Sequence, residues 1–197
     1  MFSKLEKLFM VVTVVVLAGC AGKDFVRPTS ETFRLNETTY AQVVQQMGEP
    51  KKSGEVEKNG KHVRSISYSY ASTGGASAEK GVIPARALLY FFHNGVLVGQ
   101  SFQSSFKSDN TNFDETKIDR IIKGKTTRAE VIKLLGRPSS SMVAPMVEET
   151  RGEAVGYSYS TVSGGVFSGF VLFSKQLAIS FDENDVVSDV EYTTSSN

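Results

Sequence analysis

The sequence predicts an α+β fold, two tandem helix-helix-antiparallel-sheet units that follow an N-terminal apolar segment. Three observations carry this reading: blocks that repeat at an offset of 88 to 90 residues, a helix-stop signal ahead of each strand-rich stretch, and period-two apolar patterns after it. TTYAQVVQQMGEP (Thr38 to Pro50) returns as TTRAEVIKLLGRP (Thr126 to Pro138), and YSYASTGG (Tyr68 to Gly75) as YSYSTVSGG (Tyr157 to Gly165). LLYFFHNGVLV (Leu88 to Val98) returns as LAISFDENDVVS (Leu177 to Ser188) with one residue inserted in the turn. A period this long implies supersecondary units that each need a neighbour to cover an apolar face.

The chain starts with Lys4 and Lys7, followed by the uncharged run Leu8 to Leu17 and by LAGC, Leu17 to Cys20. A helix crossing the hydrocarbon of a bilayer needs roughly 20 apolar residues, so this run reads as an export signal. Ala and Gly before a Cys resemble the lipobox of bacterial lipoproteins, in which the thiol is acylated and the signal is cut just before it. Cys20 is the one cysteine in the chain, so it has no internal disulfide partner. The expected divisions are residues 1–19 as signal peptide, 20–29 as lipidated tether, 30–107 as the first unit and 108–197 as the second. Several acyl chains on one residue would hold the protein durably at a membrane. Ala21 and Gly22 after the Cys, with the first Asp at Asp24, resemble lipoproteins sorted to the outer membrane.

Within each unit the punctuation is local. Thr127 and Glu130 have capping-box spacing, and Thr39 and Gln42 repeat it. Val131, Ile132 and Leu135 make an apolar stripe, as do Val43, Val44 and Met47. Gly136 and Gly48 are expected to close these helices in the left-handed conformation, and Pro138 and Pro50 cannot continue them. Ile118, Ile121 and Ile122 predict a further short helix ending at Gly124. Val63, Ile66, Tyr68 and Tyr70 alternate as a strand, as do Val155, Tyr157 and Tyr159. Leu88, Tyr90 and Phe92 lead into Asn94–Gly95, a hairpin signal; Leu177, Ile179 and Phe181 lead into Glu183 to Asp185 and a closing strand through Val186, Val187, Val190 and Tyr192.

The pattern G-K-T-T-x-x-E-V-x-x-L-L-G-x-P, then Y-x-Y, then L-x-I-x-F-D and a Val-rich strand resembles the SmpA/OmlA (BamE-like) lipoprotein domain. It covers residues 113–193 well and 30–106 more loosely, with Asn36, Met47 and His93 replacing Gly, Leu and Asp in the first unit. Two such units in tandem also resemble the β-lactamase inhibitor protein fold. The resemblance implies an outer-membrane-anchored, periplasm-facing lipoprotein that acts as a protein-binding or scaffold module, in outer-membrane protein assembly or envelope integrity. The alternative is a periplasmic inhibitor-like or chaperone-like module that binds an exported enzyme. Thr39, Gly48, Pro50, Thr127, Glu130, Gly136 and Pro138 are motif residues of fold, and a fold does not name a partner.

Charge and chemistry narrow the rest. The formal charge is +1 with a pI near 7.8, and removing residues 1–19 leaves 20 basic and 20 acidic residues, so no field favours nucleic acid. GKTT, Gly124 to Thr127, lacks the upstream glycine of a phosphate loop, Asp119 standing in its place. His62 and His93 are the two histidines, without Cys/His spacing, so neither a metal nor any other cofactor is expected. No nucleophile-elbow motif accompanies them, and the chain is not expected to be an enzyme. The expected partners are a membrane, through Cys20, and an envelope protein. Long connections from Ser72 and Val162 both begin with paired glycines, and the second carries Val166, Phe167, Phe170 and Phe173 with no charge before Lys175. Phe167 and Phe170 are candidate contact residues, because aromatic side chains offer large area for little lost entropy. The alternative is that these phenylalanines open the third strand and lie in the core.

Overall fold

The computed structural model describes residues 22–29, 31–72, 74–148, 152–165 and 169–196. In chain order come α1 (Tyr40–Met47), β1 (Lys52–Lys58), β2 (Lys61–Ala71), β3 (Ala85–His93) and β4 (Val96–Ser104). A 3-10 helix (Glu115–Arg120), α2 (Arg128–Leu135), β5 (Ser140–Met142), β6 (Ala154–Gly165), β7 (Gly169–Phe181) and β8 (Val187–Ser196) follow. The eight strands form one antiparallel sheet in simple chain order.

This corrects the expected fold class. The chain is not two helix-helix-sheet units but mainly one eight-stranded sheet, with one eight-residue α-helix from each half laid upon it. The ladder runs across the expected boundary at 107/108, because β4 pairs with β5 at Gly99–Met142, Gln100–Ser141 and Ser101–Ser140. Pairing there removes two exposed strand edges.

The additional helices fail for a local reason. The residues that precede α1 form turns, with Asn36 at φ 62, and the Thr38 hydroxyl takes the Arg34 amide in place of a helical carbonyl. Before α2, Asp114 caps only the six-residue 3-10 helix, and Ile121 turns extended to bury its side chain.

Two strands lay outside the expectation. β1 is exposed at every residue and charged along an edge, so it carries no alternation, and β5 is three residues, Ser-Ser-Met.

Ser-interleaving explains how the sheet has one covered face. The cross-strand row Ile66, Tyr90, Gln100, Ser141, Val155, Ile179, Val190 lies under the helices. Its left part joins Val43, Phe33 and Leu88 in one core, and its right part joins Val131, Tyr157, Leu177, Phe181 and Val187 in a second. Gln100 and Ser141 separate the two, so a cleft opens over the middle of this face. Burying each of these large apolar side chains contributes roughly 1.5–3 kcal/mol.

The helix ends match between the halves. Thr39 and Thr127 each close a complete capping box, with Gln42 and Glu130. Gly48 and Gly136 stop the helices at φ 80, ψ −174 and φ 84, ψ −163, which is not the left-handed helical region expected but an extended, positive-φ region open essentially to glycine. Pro50 and Pro138 then let the chain turn into the sheet. The buried phenols of Tyr68 and Tyr157 donate to the carbonyls of Gly48 and Gly136 at 2.8 and 2.9 Å. Bulges at Phe91/Phe92 and Ser180/Phe181 also correspond.

Residues 22–29 lie against the body without regular secondary structure. Phe25 packs on the first core, Arg86 donates to the Phe25 carbonyl at 2.6 Å, and Arg137 donates to the Pro28 carbonyl at 2.9 Å. A Cβ on Gly22 would lie 2.0 Å from the Ser69 carbonyl oxygen, so only glycine fits at this approach.

Candidate binding surface

The other face of the sheet carries the opposite set of side chains. Its central row is Ser67, Leu89, Ser101, Ser140, Gly156, Ala178 and Glu191. A neighbouring row on the right-hand strands is Ser158, Gln176 and Thr193. Among the described residues no helix covers these strands. The loop after β5 shields one end, where Asn59 donates to the Pro145 carbonyl at 2.9 Å.

The uncovered area forms a trough of ≈ 410 Å³ that includes Ser101, Gln103, Gln176, Ala178 and Thr193, with a second hollow of ≈ 240 Å³ by Ser69, Ala87 and Leu172. Among the described residues no Lys or Arg lines the trough, while Asp189 and Glu191 make its edge on β8 acidic. Gly156 keeps it flat, since a Cβ there would come 2.3 Å from the Ser140 oxygen. Ser160 Oγ donates to Gln103 at 2.8 Å, joining β4 to β6 where β5 has ended. Short hydroxyl, amide and methyl groups on a rigid ladder can pair with an approaching protein surface at little entropic cost.

The helix-covered face has the cleft, ≈ 450 Å³, bounded by Arg27, Arg128, Arg137, Glu153 and apolar walls from Leu88, Phe102 and Ile132. Arg128 is committed, to Asp185 at 2.8 Å and Glu153 at 3.2 Å, with its guanidinium 4.3 Å from the Phe181 ring centre. Arg27 donates to the Pro138 carbonyl at 2.5 Å and lies over Phe102. Burial, and then the charge of Arg137, bring its pKa down to about 10. Arg27, through the Pro138 carbonyl, and Arg137, through the Pro28 carbonyl, clamp the N-terminal segment to the end of α2.

The residues singled out in the sequence divide. Cys20 and Phe167 lie outside the described residues. Phe170 sits near the start of β7 opposite Gly164 and is 58% exposed, so it is not a core residue. The expected long loop from Val162 is instead two paired strands, with Val162 to Gly165 in β6 and Gly169 to Lys175 in β7. The connection after Ser72 does lie between strands, β2 and β3. Thr39, Gly48, Pro50, Thr127, Glu130, Gly136 and Pro138 all stand at helix ends, away from the trough.

His93 Nδ1 lies 2.9 Å from the His62 carbonyl, beside the β1–β2 and β3–β4 turns. Among the described residues no group of three His, Cys, Asp or Glu could hold a metal ion, and no helix is long and apolar enough to cross a membrane. Sequence reasoning missed the trough. Its signal was the run of serines between the tyrosines, which also occurs in any half-exposed strand.

No family model matches this chain, and no curated protein matches it by sequence. A solved structure similar to it is that of a candidate β-lactamase inhibitor protein from Streptococcus mutans, at 15% identity and a TM-score of 0.45. The match covers 83% of this chain and 91% of the other.

Proposed function

We propose that this chain is a lipid-anchored protein-binding module of the bacterial envelope, held at the outer membrane by acylated Cys20, facing the periplasm. In this reading the uncovered sheet face is presented to another envelope protein as a scaffold in membrane-protein assembly or envelope integrity. The observation that carries it is the pairing of a helix-covered face that holds both hydrophobic cores with an open trough on the other face, free of Lys and Arg among the described residues and edged by Asp189 and Glu191. A charge-depleted centre inside a polar rim is shared with protein interfaces, and Met142 and Met146 supply a kind of side chain enriched there. The lipobox residues and the motif resemblance to the SmpA/OmlA domain support the envelope setting.

The test is chemical crosslinking in cells followed by recovery from detergent-solubilised membranes, with the parent and Ala178→Arg compared. Ala178 is exposed on β7 at the centre of the face, so an arginine there blocks close approach without entering the core. The expected result is a crosslinked partner that is lost from the variant while the melting temperature is unchanged. An undiminished crosslink in the variant would sink the reading. Recovery of a soluble hydrolase in place of integral barrel proteins would move the function to the inhibitor-like alternative.

A further inference from the structure

The two cores under the helices do not meet, and the cleft of ≈ 450 Å³ between them carries a charge imbalance. It opens because the apolar row through Ile66, Tyr90, Val155 and Ile179 is broken in the middle by Gln100 and Ser141. Both of these side chains are half-buried, and neither makes a hydrogen bond among the described residues. Polar groups so placed find their partners in whatever enters the cleft, water or a ligand.

Among the described residues three arginines and one carboxylate line the space. Arg128 is paired with that carboxylate, Glu153, at 3.2 Å and with Asp185 at 2.8 Å. Arg27 and Arg137 make no ion pair among the described residues; each donates to one backbone carbonyl, Arg27 to Pro138 and Arg137 to Pro28. A guanidinium carries more N–H donors than these bonds use, all in one plane. Burial lowers the pKa of Arg27, and the like charge of Arg137 lowers it further, to about 10, so the two cations are near enough to repel one another. An anion held between them removes that repulsion.

Beside the charges the walls are apolar. The Phe102 ring centre is 5.0 Å from the Arg27 guanidinium, Leu88 stands next to it, and Ile132 faces from α2 with 40% of its surface exposed. The volume falls in the range of about 300–1,000 Å³ usual for small-molecule sites.

We propose that this cleft binds a small organic anion, a carboxylate or phosphate ester group on an apolar body, with Arg27 and Arg137 holding the anion and Leu88, Phe102 and Ile132 covering the rest. Planar guanidiniums match both kinds of oxyanion in bidentate fashion. Arg27 lies on the N-terminal segment and Arg137 at the end of α2, so an anion shared by both tightens the clamp of residues 22–29 on the body. The trough on the opposite face takes no part in this site.

The test is isothermal titration calorimetry on the full processed protein in dodecyl maltoside, each titration corrected for the same addition to detergent alone. Hexanoate and hexyl phosphate are the anionic probes; hexanol lacks the charge and acetate lacks the apolar body. The expected result is saturable binding of one or both hexyl anions, about tenfold or more tighter than hexanol or acetate, and binding of one alone identifies the oxyanion. Equal binding of hexanol overturns the proposal, as does binding of neither anion. Arg137→Gln, whose amide can still donate to the Pro28 carbonyl, is expected to weaken anion binding about tenfold or more at an unchanged melting temperature. Ile132→Glu sets a carboxylate on the cleft wall at a half-exposed position, and is expected to abolish binding without loss of fold. Unchanged affinity in either variant refutes the site. Ala178→Arg should bind as the parent does; loss of binding there would place the anion in the trough and overturn the assignment.

Discussion

Replacing Tyr157 by Phe removes one oxygen and leaves the volume of the second core intact, so the change in stability reports a single hydrogen bond. That phenol is buried and donates to the Gly136 carbonyl at 2.9 Å, tying the end of α2 to β6. Tyr68 makes the corresponding bond to Gly48 at 2.8 Å, and burial pushes its pKa up to about 12. A net hydrogen bond of this kind is worth about 1 kcal/mol. For a protein of this size 1 kcal/mol shifts the melting temperature by about 2–4 °C. Tyr68→Phe and Tyr157→Phe lie in different cores, so the double variant is expected to lose about 2 kcal/mol and about 4–8 °C. Tyr90 provides the contrast. It is fully buried, yet its hydroxyl has no hydrogen-bond partner among the described residues. A buried hydroxyl without a partner costs about 1–3 kcal/mol, so Tyr90→Phe is expected to leave the melting temperature unchanged or to raise it. Calorimetry on the three single variants and the double decides the matter. A loss from Tyr90→Phe equal to that from Tyr157→Phe would refute the reasoning, because the presence of a hydrogen-bond partner would then not distinguish these sites.

Two further outcomes follow from the helix ends. Gly136→Val is expected to cost about 1–3 kcal/mol, since φ 84, ψ −163 is essentially closed to branched residues, while Lys133→Ala on the exposed side of α2 changes little; equal urea midpoints for the two would contradict the helix-stop assignment. The carboxyl of Glu130 is held below the ordinary carboxylate range, first by the Thr127 amide and then by its hydroxyl. Such a group adds stability above its unfolded pKa of about 4.3 and loses it as pH falls through the lower folded value. Glu130→Gln keeps the box, as Gln42 does in the first half, so its urea midpoint should fall less than the parent's between pH 5 and pH 3; parallel falls would rule out this contribution.

Which parts of the fold were legible follows from the range of the forces involved. Thr39 with Gln42 and Thr127 with Glu130 bond within four residues, and the Asn94–Gly95 turn, at φ 51 and 77, needs only its own backbone. Alternation through Tyr157 and Leu177 shows that one face is buried and says nothing of the strand next door. The extra helices were misread because apolar spacing at Ile118, Ile121 and Ile122 fits a helix, while side-chain bonds such as Thr126 Oγ to the Ile122 amide take the backbone elsewhere. β1 and β5 left no trace in the pattern, having no apolar face to alternate.

The sequence alone determined the local events: where each helix begins and stops, where the tight hairpin turns fall, and which residues on a strand seek a core. Each depends on a few adjacent residues and their intrinsic conformational limits. Tertiary structure decided that the two halves share one sheet, that residues 22–29 lie against it, and that a serine face stays open. Those outcomes depend on backbone pairing between residues far apart in the chain, such as Gln100 with Ser141, and backbone groups are alike in every residue.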